Sequence, residues 1–303
     1  MGYLCFTLLA LMAILGTPAA ATPFTSVIVY GDSLSDNGNL FALAGQPAAP
    51  YWNGRVSNGP VAVEYLAASL GVPLRDFAWA GATTGIGNEL DGGTPTSMGS
   101  VNLPGMQTAF GASISSPAVQ GQLSTALFVV WGGLNDFLSP SPLDHADPAA
   151  IAARSVTDLA SIASSLRSMG AQHILVPGLP DVGLTPRFHA AAYSKLTDAF
   201  NSQLVAALPA GVTYFDTSAL LRSIVANPVS YGLTNVTDAC YSSGAVCASP
   251  DQYLFWDDLH PTTRAHAILG EAFAGTVPEP STFIMVVSAA GVLAFARRLR
   301  IRA

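Results

Sequence analysis

Short apolar runs rich in β-branched residues alternate along this chain with longer segments of helical periodicity, which restricts the available folds more than any other feature. Strands are expected over Phe24 to Tyr30, Leu74 to Ala80, Ala126 to Trp131, His173 to Val176 and Thr213 to Phe215. Apolar residues recur at helical spacing over Val61 to Leu70, Pro148 to Met169, Pro186 to Leu208 and Thr217 to Ala226. A last helix is expected over Thr262 to Phe273, with Pro261 at its first position. Such alternation implies βαβ units, and therefore a mainly parallel sheet with helices on both faces. Active sites of these sheets lie beyond the carboxyl ends of the strands. That rule points to the turns after Tyr30, Ala80 and Trp131. Thr83 to Gln122 and Asn227 to Gln252 are rich in small and turn-forming residues, and read as long loops that form lids or substrate walls.

The two ends stand apart from this pattern. Met1 to Ala21 holds an apolar run from Leu4 to Leu15, then small residues at Ala19 and Ala21 that fit a signal-peptidase site. A signal peptide is expected over residues 1–21, with Thr22 as the mature start; a short buried helix is the alternative. At the other end, Val277-Pro278-Glu279-Pro280-Ser281 precedes an apolar run from Thr282 to Ala296 and a cluster of Arg297, Arg298, Arg300 and Arg302. The run is short for a helix that needs about 20 residues to cross a bilayer, although snorkelling arginines extend its reach. An ordinary membrane anchor is one reading of this tail.

Charge narrows the partners. Between Thr22 and Pro280, 8 Lys and Arg face 19 Asp and Glu, a formal charge of −11. An acidic body repels phosphate backbones and anionic membrane surfaces, so nucleic acid is not an expected partner. Cys5 falls in the leader, leaving Cys240 and Cys247 as an even pair in an exported chain, which favours a disulfide over two free thiols.

The first strand ends in Gly31-Asp32-Ser33-Leu34-Ser35-Asp36-Asn37-Gly38-Asn39. A serine at such a turn exposes its hydroxyl near free backbone N–H groups, and needs a base to become a nucleophile. His260, in Asp257-Asp258-Leu259-His260-Pro261, has an acid three residues before it that can orient the ring; Asp258 is the alternative to Asp257. His145, His173 and His189 read as surface or satisfied core residues, and His266 as exposed. An acyl-transfer site also needs oxyanion donors. The N–H groups of Ser33 and Gly81 follow strands, and Asn135 in Gly133-Leu134-Asn135-Asp136 offers a side-chain amide. Tyr51, Trp52, Trp79 and Trp131 are candidates for pocket walls, with core packing as the alternative. No H-E-x-x-H pattern or thiolate set calls for a metal, no cofactor is expected, and no G-x-S-x-G elbow is present.

In order along the chain, GDSLSDNGN, the Ala80-Gly81-Ala82 block, GLND and DDLH resemble the SGNH, or GDSL, family of lipases and esterases. The resemblance runs from about Val27 to Ala274. It implies a flavodoxin-like three-layer α/β/α fold around a mainly parallel five-stranded sheet, in a hydrolase domain over residues 22–276. It also implies a secreted ester hydrolase with Ser33 as nucleophile, His260 as base, Asp257 as its orienting acid, and Ser33, Gly81 and Asn135 around the oxyanion. Phospholipase, acyltransferase and polysaccharide deacetylase activities are alternatives on the same residues; a non-catalytic matrix-binding module is the reading from another class. The tail from 277 to 303 resembles the PEP-CTERM sorting signal, which implies processing by an exosortase and transient membrane anchoring at the cell surface.

Overall fold

The computed structural model describes residues 24–277, and in it the five expected strands form one parallel sheet. The first half of the chain runs β1 (Val27–Gly31), α1 (Asn39–Ala44), α2 (Ala62–Leu70), β2 (Leu74–Asp76), α3 (Met106–Ser113), α4 (Pro117–Gln120) and β3 (Leu127–Trp131). It continues through α5 (Leu134–Leu138), α6 (Pro148–Ser168), β4 (His173–Pro177), α7 (Ala191–Ala207), β5 (Thr213–Phe215) and α8 (Thr217–Ala226). Three smaller strands, β6 (Asn235–Ala239), β7 (Tyr241–Ser242) and β8 (Ala245–Val246), lead to β9 (Tyr253–Phe255) and the last helix, α9 (Thr263–Thr276).

The strand order is β2-β1-β3-β4-β5, so the chain starts near the middle and winds outward both ways. Successive residues of the buried strands point to opposite faces, which is why these runs are apolar throughout rather than alternating. Ile28, Tyr30, Phe128, Val130, Ile174 and Val176 pack on one side with Met106 of α3, Leu159 of α6 and Phe200 of α7. Val27, Val29, Leu127, Val129 and Trp131 pack on the other with Leu66 of α2 and Phe273 of α9. Each such side chain, fully buried, contributes about 1.5–3 kcal/mol, whereas an exposed ion pair such as Arg187–Asp258 contributes about 0–1. The two apolar layers therefore hold the sheet.

Three expectations need correction. Thr83 to Gln122 is not loop throughout: α3 forms because Met106 and Ala109 bury against the sheet and Ser113 Oγ donates to the Tyr30 hydroxyl at 3.0 Å. Pro186 to Ala190 is not helical; Arg187 N–H donates to the Asp258 carbonyl at 2.7 Å, drawing this segment toward the loop that precedes α9. Pro261 is not the first helical residue, because Thr262 is the N-cap of α9 and its hydroxyl accepts from Ala265 N–H at 3.2 Å. The leader over residues 1–21, Thr22 and the sorting tail from Pro278 onward lie outside the described residues. Among the described residues, no helix is long and apolar enough to cross a membrane.

Candidate active site

The turn after β1 is built to hold a side chain out of the sheet. The Asp32 carbonyl accepts from the N–H groups of Ser35 (3.0 Å) and Asp36 (2.9 Å), and its carboxylate accepts from Leu34 N–H at 3.0 Å. Gly31 is required where β1 meets β3, since a Cβ there would lie 2.8 Å from the Trp131 carbonyl oxygen. Ser33 is left partly exposed at the crest.

Its neighbour comes from the far end of the chain. His260 Nε2 lies 2.9 Å from Ser33 Oγ, and His260 Nδ1 lies 2.9 Å from Asp257 Oδ2 and 3.0 Å from Oδ1. The ring thus sits between hydroxyl and carboxylate, an order that assigns the Nδ1 proton toward Asp257 and the Nε2 lone pair toward Ser33. Asp257 Oδ1 also accepts from Leu259 N–H (2.8 Å) and His260 N–H (2.7 Å). Burial pulls this carboxyl upward, but the facing imidazole and these donors outweigh it and hold the group well below the usual carboxylate range. Asp258, the alternative acid, points elsewhere and pairs with Arg187 at 2.8 Å.

Two more segments converge on the same point. Asp36 accepts at once from Asn39 N–H (2.6 Å) in the serine turn and from Ala80 N–H (2.8 Å), which fixes the segment carrying Gly81 beside Ser33. Gly81 adopts φ +78°, a left-handed conformation that a side chain disfavours. Among the described residues, the backbone N–H groups of Ser33 and Gly81 have no protein acceptor. Asn135 sits in the first turn of α5, with one amide hydrogen donated to the Ala82 carbonyl at 2.9 Å. Behind it, the Asp136 carboxylate accepts from Thr84 N–H (2.9 Å) and Thr84 Oγ1 (2.6 Å), tying the third loop to the second. Burial pushes Asp136 up to about 7 and Asp32 up to about 6.

The structure thus brings Ser33, Gly81, Asn135, Asp257 and His260 to one place, at the carboxyl ends of β1 and β3. Cys240 and Cys247 are joined in a disulfide that closes the β7–β8 turn. His145 and His189 are exposed, and His173 packs edge-on against Phe24. His266 is not exposed: it is fully buried between α9 and α2, accepts from Ala62 N–H at 3.2 Å, and burial pulls it down to about 3. Its position was readable, since Ala265, His266, Leu269, Gly270 and Phe273 form one buried helical stripe. Trp131 and Tyr51 do border the site, whereas Trp52 is exposed under Arg55. Sequence reasoning missed Glu89 and Arg187, which line the site's outer groove and carry no motif. The described residues hold no cluster of His, Cys, Asp and Glu fit for a metal ion.

Comparison with known proteins identifies the family of the chain. Residues 27–273 match the GDSL-like Lipase/Acylhydrolase family, and residues 276–301 match the PEP-CTERM protein-sorting motif. The thermolabile hemolysin of Vibrio parahaemolyticus is 27% identical over 81% of this chain and 62% of its own length. The phosphatidylcholine-sterol acyltransferase of Aeromonas hydrophila is 27% identical over 91% of this chain and 97% of its own. An uncharacterized Pseudomonas putida protein is 32% identical over 84% of this chain and 48% of its own length, so the chain spans less than two thirds of two of these three relatives. Among solved structures, an acetylxylan esterase from Geobacillus stearothermophilus superposes with a TM-score of 0.49 at 13% identity, covering 83% of this chain and 93% of that one. The chain belongs to the GDSL-like lipase/acylhydrolase family of hydrolases and carries a PEP-CTERM sorting motif at its C-terminal end.

Proposed function

We propose that this protein is an exported serine ester hydrolase that works through an acyl-serine intermediate. The observation that carries the reading is the continuous line Ser33 Oγ, His260 Nε2, His260 Nδ1, Asp257 Oδ2, with both gaps at 2.9 Å. A serine hydroxyl in contact with an oriented neutral imidazole loses its proton as it attacks a carbonyl carbon.

Ser33 Oγ attacks the ester carbonyl while His260 Nε2 takes its proton, and Asp257 stabilises the imidazolium that forms. The oxyanion falls between the free N–H groups of Ser33 and Gly81 and the second amide hydrogen of Asn135. Collapse breaks the bond to the alcohol, whose oxygen takes the proton from His260. Water then enters by the same route, and His260 removes its proton as its oxygen bonds to the acyl carbon. The bond between that carbon and Ser33 Oγ breaks, Oγ takes the proton back from His260, and the carboxylic acid leaves.

Ser33→Ala should lower turnover of p-nitrophenyl esters by about 10⁴-fold or more while the folded stability stays near wild type. Turnover within tenfold of wild type would remove Ser33 from the role. The covering range of the Aeromonas acyltransferase supports acyl transfer as a second outcome of the same intermediate, with an alcohol in place of water.

The PEP-CTERM motif supports export, exosortase processing and display at or release from the cell surface. We place the leader at residues 1–21 and the anchor in the apolar run from Thr282 to Ala296. Mass spectrometry of protein from the native host should find a C-terminus near Pro280; recovery of Ala303 would favour a permanent anchor.

A further inference from the structure

Gly81 sits in a tight turn whose middle peptide can face two ways. Ala82 N–H donates to the Trp79 carbonyl at 2.9 Å and closes the turn, with Ala80 and Gly81 at its centre. The φ of +78° at Gly81, with Ala80 outside the left-handed region, is the type II form. Types I and II differ by a half-turn of the central peptide, which reverses its N–H and its C=O together. A glycine takes either form at little cost, so the turn itself does not choose between them. The peptide concerned, Ala80 C=O with Gly81 N–H, carries a backbone donor assigned to the oxyanion.

Asn88 holds this peptide one way round. Its Nδ2 donates to the Ala80 carbonyl at 2.8 Å, and its Oδ1 accepts from Leu90 N–H at 3.0 Å. The side chain is fully buried. A backbone N–H on one side and the carbonyls of Ala80 and Pro104 on the other settle which end of the amide is which. A trans peptide directs its C=O and N–H to opposite sides, so gripping the Ala80 oxygen aims the Gly81 hydrogen. The same bond polarises the peptide and strengthens its N–H as a donor. Around it, Ala80 N–H is held by Asp36, the Gly81 carbonyl by Glu89 N–H at 2.8 Å, and the Ala82 carbonyl by Asn135.

We infer that Asn88 is a positioning residue of the oxyanion site: it keeps the Ala80–Gly81 peptide in the orientation that presents Gly81 N–H to the charged intermediate. This role rests on Ser33 and Gly81 acting as proposed above. Asn88 belongs to none of the four motifs and acts on the reaction only through the turn. It lies eight residues beyond Ala80 in sequence, where the loop folds back and Asn88 pairs with Ala82 in an antiparallel bridge. Without its grip the peptide turns over in part of the molecules. Those molecules meet the oxyanion with a carbonyl oxygen instead of an N–H, which repels it.

Asn88→Ala should lower kcat for p-nitrophenyl acetate by at least about tenfold, with KM within about threefold of wild type. The preference for this ester over its thionoester, whose C=S sulfur is a poor hydrogen-bond acceptor, should fall by at least about threefold. A merely structural role would not move that ratio, because a loss of folded enzyme slows both substrates alike. Asn88→Leu keeps the volume without the donor and should change kcat and the ratio in the same direction. An unchanged ratio in either folded variant overturns the role.

A measurement on the wild type decides the matter even where neither variant folds. Ser33 Oγ adds to the carbonyl carbon of trifluoroacetone, its proton passes to His260, and the hemiketal oxygen carries the negative charge. The amide proton of Gly81 and the Asn88 Nδ2 proton facing Ala80 should then both move downfield in nuclear magnetic resonance spectra. They move together because the two hydrogen bonds run through one peptide. A Gly81 shift with Asn88 unmoved overturns the role. No Gly81 shift in the formed adduct, or full activity of Ser33→Ala, would instead overturn the reading beneath it.

Discussion

Tyr51 donates its phenolic hydrogen to Asp257 Oδ2 across 2.9 Å, so the carboxylate that faces His260 is shared with a tyrosine more than 200 residues away in sequence. Burial and the adjacent Asp257 push the Tyr51 phenol above its ordinary value, which keeps it protonated and donating. Edge-on contacts with Tyr241 (5.7 Å) and Trp256 (6.2 Å) hold the ring in place. With Tyr51, the two oxygens of Asp257 are satisfied from the loop after α1, from its own turn and from the histidine.

Removing that donor has a directional consequence. In Tyr51→Phe, Asp257 Oδ2 loses a hydrogen bond and holds a facing imidazolium more strongly. The acid limb of the kcat/KM profile should move to higher pH, with kcat/KM at neutral pH lower by about tenfold. A uniform drop with the limb unmoved would reduce Tyr51 to a packing role, and pH-rate profiles of the two enzymes decide this.

As an oxyanion donor, the role proposed for it, Asn135 would act through charge that exists only in the transition state. Asn135→Ala should lower kcat by about 10²–10³ with little change in KM. A loss under threefold in a folded variant would place the oxyanion elsewhere.

Asp136 makes stability fall with pH. Its carboxyl is raised by burial to about 7 in the fold, against about 3.9 in an unfolded chain. The folded protein therefore keeps this proton longer than the unfolded chain, and the stabilisation is complete below pH ~3.9 and lost as pH rises through about 7. Asp136→Asn removes the titration, so between about pH 4 and 8 its melting temperature should decline less than that of wild type. Asp32 is raised to about 6 and acts with the same sign in both proteins, so the difference isolates Asp136. Parallel thermal-melt curves across this range would contradict the assignment.

The Cys240–Cys247 disulfide closes a loop with a sequence separation of 7, and Tyr241 beside it stacks on Trp256 at 5.8 Å. A loop of that length contributes about 2 kcal/mol. Replacing both cysteines with serine should lower stability by about that amount, measured by urea unfolding, and should reduce activity because the Tyr241–Trp256 pair backs Tyr51. Unchanged activity would mean that Tyr51 is held without the hairpin.

How far these features were legible depends on what fixed each one. β5 and α8 were readable in full because their apolar spacing and the N-cap Asp216, which accepts from Ala219 N–H, are local signals. Ser33, Gly81 and Asn135 each sit in a short motif after a strand of the parallel sheet, so their closeness followed from the topology. Asp257 and His260 follow β9 in a separate two-stranded sheet, and only the family resemblance placed them with Ser33. α3 was hidden because its N-cap is Gly105 with no side-chain cap, and its helix depends on burial of Met106. The Tyr51–Asp257 bond and the groove residues Glu89 and Arg187 were not legible either. They depend on how distant loops meet above the sheet, and no local periodicity encodes that.

Treating the folded protein with diethyl p-nitrophenyl phosphate, which phosphorylates an activated serine, and mapping the adduct by peptide mass spectrometry asks whether Ser33 alone is the activated nucleophile. One diethylphosphoryl group on Ser33, appearing in step with loss of esterase activity and absent from His260→Ala, is the predicted result. Inactivation with the adduct on another residue, or full labelling of Ser33 with activity retained, would contradict it.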